Sequence, residues 1–472
     1  MAKLVRELSV GMLSMIAIGG SIGTGIFLAS GHALYVAGPG GTLLAYVITG
    51  IMAFFLMMSL GEMAAFMPVE GSFAAYATRF VDPAFGYALA WNYWYSWAIT
   101  VAAEMAAAAL IMQFWFPNSI GFAWSMLFLS GIIFCNAIST HAFGLAEYWF
   151  SVLKVAVILM FIAVGLALAF GLTPIAPIGF THWREGDAPF HGGFFALLPA
   201  FLIAGFSFQG TELIGIAAAE SANPKRDVPR AVKHIFWRIL LFFVLSIFVI
   251  SLLISHTAEQ LTGESVLLSP FTLTLKQIGI SFAASLMNAV VLIAILSTGN
   301  SGMYGATRML WHLAEQGHLP VFFAKLNSKG VPQRALLLTS AVVFIAYLSS
   351  FYGNGSLYLL LLNAAAITGF IAWMGISVCH YRFRKAYLAQ GRDLSALPFL
   401  AKGFPFSTAI VLLLCSFIIL GQNYQAFLAN TINWYDIFLT YAGVPIFFLI
   451  WFGYKWIKKT RWVKLHEASF EE

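Results

Sequence analysis

Long apolar stretches recur along the whole chain, and charged side chains are scarce between them. Of the 472 residues, 61% are hydrophobic and only 9% are Asp, Glu, Lys or Arg, whereas about a quarter of an ordinary soluble protein is charged. A soluble globule of this size could not cover its surface with so few charges. The sequence therefore predicts an all-α integral membrane protein, because helices satisfy their own backbone hydrogen bonds in lipid.

A hydropathy window of about 19 residues predicts twelve transmembrane helices. They lie near residues 11–33, 41–66, 84–116, 121–140, 146–172, 193–219, 233–256, 273–310, 332–352, 355–381, 404–428 and 432–457. The loops between these spans are short. We therefore expect a single domain over residues 1–472, with no soluble module.

The basic residues give the predicted orientation of these spans. With the N-terminus inside, all of the 25 Lys and Arg residues except Lys154, Arg184 and Lys276 fall in cytoplasmic segments. This asymmetry follows the positive-inside rule and predicts that both termini are cytoplasmic. A net charge of +6 spread this thinly indicates no nucleic-acid partner. Membrane lipid is the expected surrounding.

Glycine-rich interruptions lie at the middle of the first and sixth spans. The first reads Gly-Gly-Ser-Ile-Gly-Thr-Gly at residues 19–25, and the second reads Gly-Phe-Ser-Phe-Gln-Gly-Thr-Glu at residues 205–212. Small residues also allow close helix packing, which is the alternative interpretation of one such motif. Two motifs five spans apart instead favour two five-helix repeats of inverted topology, with broken helices facing each other at a central binding site.

Three ionisable residues lie deep in predicted spans, where charge is costly and is presumed functional. Glu212 follows the sixth-span break, where it either ties the broken helix ends together or carries a proton. Lys154 lies about eight residues into the fifth span, about 12 Å deep at 1.5 Å per residue. Its ammonium could bridge carbonyls of the broken first span to the fifth and eighth spans, or extend to the cytoplasmic headgroups.

Glu104 is the third deep charge, and it stands alone on an alanine-rich helix. No cation is near it in sequence, so a ligand with an ammonium at the end of its side chain is a candidate partner. The alternatives are a carboxylate kept protonated by burial and an internal pair with Lys154. Glu62, Glu147 and Glu220 lie nearer span ends and fit interfacial or packing groups.

The ends of broken helices match the two charged groups of an amino acid. Free N–H groups after a break favour an α-carboxylate, for which Ser21, Gly23 and Thr24 are candidates. Free carbonyls before a break favour an α-ammonium, near Phe206, Ser207 and Gly210, and Phe206 or Phe208 could close over the ligand. The full set of candidate substrate-binding residues is Gly19, Ser21, Ile22, Gly23, Thr24, Gly25, Glu104, Phe206, Ser207, Phe208, Gly210 and Glu212, with Lys154 and Glu212 as candidates for proton coupling.

Cysteine and histidine give no sign of a metal centre or an enzyme. The three cysteines lie in apolar runs without a CxxC pattern, which favours buried apolar side chains. The histidines are scattered along the chain, for example at His141, His182, His191, His234 and His256. We therefore expect no metal, no cofactor and no catalytic site. No Walker-type motif indicates direct use of ATP.

Several stretches resemble the bacterial amino acid permeases of the amino acid-polyamine-organocation superfamily. The similarity is carried by residues 15–25, 205–213 and 223–232, and it extends over nearly the whole chain. Residues 91–95, 146–151, 299–304, 380–384 and 421–424 are similar to the lysine-specific members of that family.

This resemblance implies a LeuT-type fold and proton-driven uptake by alternating access. The first repeat would span about residues 11–172 and the second about 193–381, followed by two further helices at about 404–457. It also implies that Lys154 stands in place of a sodium ion and that Glu104 faces the substrate side chain. The expected function is import of L-lysine with a proton across the inner membrane.

Other functions stay open at this point. One is an exchanger of cationic amino acids, and another is a permease for arginine or ornithine. An amino acid sensor in the membrane is the alternative from a different class. The sequence does not determine the oligomeric state.

Overall fold

Helices form nearly all of the regular structure in the computed structural model. The structure describes residues 6–173, 176–261, 269–277, 281–348, 356–428, 432 and 434–471. Within these ranges, β-type pairing is limited to an isolated bridge between Leu8 and Ser221. This agrees with the predicted all-α class.

Most connections between the helices are short, but the sixth and seventh helices are joined by the longer segment at residues 170–196. In chain order the helices are α1 (Val10–Ser21), α2 (Ser30–Phe66), α3 (Phe73–Phe80), α4 (Pro83–Met112), α5 (Gly121–Ile138), α6 (Thr140–Ala169), α7 (Leu197–Phe208), α8 (Leu213–Ala217), α9 (Pro224–Leu253), α10 (Pro270–Gln277), α11 (Ser281–Glu315), α12 (Gln333–Leu348), α13 (Ser356–Ala389), α14 (Phe406–Gly421), α15 (Tyr424–Leu428), α16 (Trp434–Tyr441) and α17 (Gly443–Lys458). A π-helical turn, Gly25–Ala29, lies between α1 and α2.

Seven helical stretches among the described residues are long and apolar enough to cross a bilayer. They are Val10–Phe66, Pro83–Met112, Gly121–Ile138, Thr140–Ala169, Phe194–Glu220, Phe282–Glu315 and Leu360–Ala389. Shorter apolar helices at Leu241–Leu253, Gln333–Ile345 and Phe406–Gly421 fall in further predicted spans. The number twelve stays a prediction, and the predicted boundary at residues 352–355 lies outside the described residues.

The first two predicted spans are joined by a kink inside α2 instead of the loop expected at residues 34–40. Gly38 has φ 70° and ψ 177°, which is not helical, and Pro39 follows it. Glycine suits this position because a positive φ is costly for residues with a Cβ atom. The chain therefore turns within about one residue, and α2 packs mainly against α7 and α9.

Helix α4 lies at the centre of the molecule. In its most apolar window 89% of the residues are buried, against 22% in α5. It packs against α11 and α13, and a Cβ atom at Gly302 of α11 would lie only 2.4 Å from the Trp97 ring of α4. Because small residues permit this close approach, α4 carries Glu104 into the interior while α5 lies at the periphery.

Candidate substrate site between two helix breaks

The first break follows the end of α1. The Ile22 N–H still donates to the Ile18 carbonyl at 3.0 Å, but Ile22 itself has φ −88° and ψ 86° and leaves the helix. Helical geometry resumes at Thr24, with φ −60° and ψ −28°, just before the π-helical turn that begins at Gly25. The interruption thus occupies residues 22 and 23, inside the glycine-rich motif at residues 19–25.

The second break separates α7 from α8. Gln209 is extended, with φ −61° and ψ 146°, and Gly210 has φ +101°. A Cβ atom at Gly210 would lie 2.4 Å from the carbonyl carbon and oxygen of Gly20. The two breaks are therefore in direct backbone contact, which only a glycine at position 210 allows.

A narrow cavity of about 20 Å³, which has room for about one water molecule, lies between the breaks. Its lining is formed by Gly20, Ser21, Gly23, Gly25, Tyr93, Ser96, Trp97, Thr100, Glu104, Phe206, Gln209, Glu212, Thr298 and Gly369. Six of these were predicted from the sequence, namely Ser21, Gly23, Gly25, Glu104, Phe206 and Glu212. The α4 residues that were not predicted are Tyr93, Ser96, Trp97 and Thr100; with Glu104 they form two rows, Tyr93–Trp97 and Ser96–Thr100–Glu104, of residues four positions apart on one helix face.

The other predicted site residues do not line the cavity. They are Gly19, Ile22, Thr24, Ser207, Phe208 and Gly210. The Ser207 hydroxyl lies 2.8 Å from the Tyr46 hydroxyl and donates to the Ile203 carbonyl at 2.9 Å. The Phe208 ring packs on Phe243 with 4.6 Å between centroids. Of the two candidate gating rings, therefore, Phe206 and not Phe208 lines the cavity.

Two side chains bind the carbonyl groups at the end of α1. The Lys154 ammonium donates to the Gly19 carbonyl at 2.7 Å. The Thr298 hydroxyl lies 3.1 Å from both the Gly19 and the Ile22 carbonyl oxygens. Lys154 is completely buried and points to the break, so it does not extend to the headgroups. The first, fifth and eighth spans meet here, as the sequence predicted.

Glu212 is enclosed by donors on every side. Its carboxylate accepts the Gly210 N–H at 3.0 and 3.2 Å, the Tyr93 hydroxyl at 3.2 Å and the Trp373 indole N–H at 3.1 Å. These bonds tie the second break to α4 and α13. The geometry matches the structural alternative for Glu212, with the carboxylate holding the ends of the broken helix.

Glu104 has one oxygen bound and one free. Its Oε1 accepts the Thr24 hydroxyl at 3.0 Å and lies 3.5 Å from the Thr24 N–H. Its Oε2 is buried and has no hydrogen-bond partner among the described residues, although Glu104 is only 1% exposed. Neither Glu104 nor Lys154 forms an ion pair within the part of the chain that the structure describes. An unpaired buried carboxylate oxygen is costly, and either a cationic ligand or a proton on the carboxyl group would remove this cost.

The hydroxyl groups predicted to bind an α-carboxylate already have protein partners. Ser21 donates back to the Ala17 and Ile18 carbonyls of its own helix, at 3.1 and 3.0 Å. Thr24 donates to Glu104. Binding of a carboxylate at the first break would therefore depend on backbone N–H groups or on release of these bonds.

Two further buried carboxylates form ion pairs outside the cavity. Glu220 accepts from the Tyr304 hydroxyl at 2.6 Å and from Arg308 at 3.0 Å. Glu62 is paired with Arg384. Both carboxylates are paired with an arginine, which agrees with their interpretation as packing groups and distinguishes them from Glu104.

Comparisons with known proteins identify the family of this chain. The profile of the amino acid permease family matches residues 12–467. The lysine-specific permease LysP of Escherichia coli is 52% identical, with 99% of this chain and 96% of the relative aligned. LysP of Lactococcus lactis is 45% identical over 98% and 92% of the two chains, and the histidine permease HisP of the same organism is 44% identical over 98% and 97%. These matches confirm the resemblance predicted from the sequence: the chain belongs to the amino acid permease family and is a multi-pass membrane transporter rather than an enzyme.

Proposed function

We propose that this protein imports L-lysine together with a proton across the cytoplasmic membrane of a bacterium. The observation that carries the proposal is the free Oε2 of Glu104 beside a cavity between two broken helices. Lysine is an amino acid with a second ammonium at the end of its side chain. Two of the similar proteins are named lysine-specific permeases, which supports the same substrate.

In this proposal the two ends of lysine bind to different parts of the site. The helix breaks bind the α-carboxylate and α-ammonium through backbone N–H and carbonyl groups. The ε-ammonium binds Oε2 of Glu104 from the face of α4 that carries Ser96 and Thr100. A charge-assisted bond of this kind is stronger than a neutral one, so Glu104 sets the preference for a cationic side chain.

Lys154 is the proposed coupling residue. Its ammonium occupies the position where a monovalent cation could bind the free carbonyl groups of the first break. Loss of the ammonium proton would remove the positive charge that Lys154 places beside the Gly19 carbonyl, and the first break could then rearrange. Glu212 is the second candidate for a proton carrier, although its oxygens are bound by Tyr93, Trp373 and Gly210.

The proposed transport cycle uses alternating access. We infer that the spans at about 11–172 and 193–381 form inverted repeats of a LeuT-type fold, with both termini in the cytoplasm. Substrate would then reach the same central cavity from either side of the membrane in turn.

The test is uptake of labelled lysine into proteoliposomes that contain the purified protein. Accumulation should require an inward proton gradient and should stop when an uncoupler removes that gradient. Lys154→Ala should lose gradient-driven accumulation, while Lys276→Ala, which changes an exposed lysine, should retain it. Accumulation by Lys154→Ala under a proton gradient would contradict the coupling role.

A second candidate is transport of another cationic or partly cationic amino acid. HisP is nearly as similar to this chain as LysP of the same organism, at 44% against 45% identity. Competition by histidine, arginine and ornithine in the same proteoliposomes separates these substrates. Uptake that is independent of the proton gradient but requires amino acid inside the vesicles would indicate an exchanger. Saturable binding without any uptake would indicate a sensor.

A further inference from the structure

Three side chains that can bind a metal ion come together outside the central cavity. Asp187 and His191 belong to the connection between α6 and α7, and His256 lies three residues after the end of α9. One potential ligand atom from each of them lies within 4.8 Å of the others. Two histidines that are distant in the sequence are thus neighbours, on the side predicted to face away from the cytoplasm.

His256 is the buried member of this cluster. It is 2% exposed, and neither of its ring nitrogens has a hydrogen-bond partner among the described residues. Its Nε2 lies 3.5 Å from Oδ1 of Asp187. A buried polar group without a partner requires an explanation, and a metal ion in contact with this imidazole would supply one.

The remaining two ligands, His191 and Asp187, are accessible to solvent. Nδ1 of His191 lies 2.6 Å from the same oxygen of Asp187, and the two side chains are 40% and 58% exposed. An ion can therefore enter from solvent and find one carboxylate oxygen and two imidazole nitrogens.

We propose that Asp187, His191 and His256 form a zinc site that is separate from the substrate cavity. Two imidazoles and a carboxylate are ligands that zinc uses, and water commonly fills its fourth position. Ligand atoms about 2.1 Å from a tetrahedral ion are about 3.4 Å apart. The present separations of 2.6 and 3.5 Å to Asp187 need only small side-chain movements to reach this geometry.

Such an ion would connect the α6–α7 connection to the segment that follows α9, close to the kink in α2. The Pro189 carbonyl, inside the same connection, accepts the Gly40 N–H at 2.8 Å and the Gly41 N–H at 3.3 Å. These glycines directly follow the kink in α2 at Gly38. Zinc would therefore link the C-terminal end of α9 to the α6–α7 connection, which contacts the kink in α2. We expect this link to slow movement of α9 relative to α2.

The first test is a calorimetric titration of Zn²⁺ into the purified full-length protein after treatment with a chelator. We expect one ion per chain. His191→Ala and His256→Ala should each weaken binding by at least about tenfold, since even loss of an outer-shell partner costs that much. His182→Ala is the matched control, because His182 lies in the same connection but pairs with Glu185; it should leave the affinity unchanged.

A second measurement needs no substitution and covers the case in which His256→Ala does not fold. Co²⁺ added to the unsubstituted protein should give the intense visible absorption of a tetrahedral site, and Zn²⁺ should displace it. Absence of saturable Zn²⁺ binding, or affinity that is unchanged in His191→Ala and His256→Ala, would overturn the proposal. Because these readouts do not involve transport, their outcome is independent of whether the protein carries lysine.

Discussion

The two helix breaks meet at the same cavity but satisfy their backbone groups in different ways. At the second break, Glu212 lies two residues from Gly210 and binds its N–H, so the break carries its own partner. At the first break, the carbonyl groups depend on Lys154 of α6 and Thr298 of α11. The first break is therefore held from outside, by side chains on other helices.

This difference indicates which break responds to a ligand or a proton. Every oxygen of Glu212 has a donor, whereas Glu104 beside the first break retains a free oxygen. A break that is held by one ammonium and one hydroxyl changes when either of them is lost. We infer that the second break is the fixed partner of the pair and that the first break is the one that rearranges.

The largest effect on stability is expected from Gly210→Ala, which disrupts the backbone contact between the two breaks. The new Cβ atom would meet the Gly20 backbone at 2.4 Å, and φ +101° is unfavourable for alanine. We expect a loss of at least about 2 kcal/mol of stability, seen as a lower melting temperature or poor recovery from size-exclusion chromatography. Gly131→Ala, where a Cβ atom meets nothing within 4 Å, is the control. Equal stability of the two variants would show that the breaks do not need this contact.

The next largest effect should come from Glu212→Ala. The Gly210 N–H, the Tyr93 hydroxyl and the Trp373 indole would lose a buried acceptor. Water in the space left by the side chain would pair with part of these donors, so we expect a total loss of about 1–3 kcal/mol. Thermal unfolding in detergent should show a clear loss of stability, whereas the exposed control Glu467→Ala should not. If Glu212→Ala kept its stability and lost only proton-driven uptake, the role of Glu212 would be to carry a proton and not to hold the ends of the broken helix together.

A smaller effect is expected from Thr298→Val at the first break. Valine keeps the shape of threonine but removes the donor shared by the Gly19 and Ile22 carbonyls, which is worth about 1 kcal/mol per hydrogen bond. We expect a modest loss of stability and a change of a few fold in the rate of lysine uptake. Thr298→Ser should restore both. An unchanged uptake rate in Thr298→Val would mean that Lys154 alone holds this break.

The general plan of the fold could be predicted because membrane helices leave direct marks in a sequence. Apolar length predicted the spans, and glycine-rich motifs predicted the breaks that the structure shows at residues 22–23 and 209–212. The kink at Gly38 was not predicted, because the dipeptide Gly-Pro is equally typical of a loop. The short helix α3 was missed as well, since a helix of eight residues between spans has no strong hydropathy signal.

The site was only partly predictable, because its wall combines residues from several helices. Isolated deep charges identified Glu104, Lys154 and Glu212. The contacts of Ser207 with Tyr46 and of Phe208 with Phe243 depend on helix rotation, which a short apolar motif does not determine. Thr298 and Gly369 lie in spans without any charge or break nearby, so only the tertiary structure brings them to the cavity.

The central claim is that the free oxygen of Glu104 binds the side-chain ammonium of the substrate. The most direct measurement is equilibrium binding of lysine and of norleucine, which lacks only that ammonium, to the unsubstituted protein and to Glu104→Gln. We predict that the substitution weakens lysine binding by about tenfold to a hundredfold, as expected for a hydrogen bond between charged groups, and leaves norleucine binding nearly unchanged. An equal loss for both ligands, or no loss for lysine, would contradict the account.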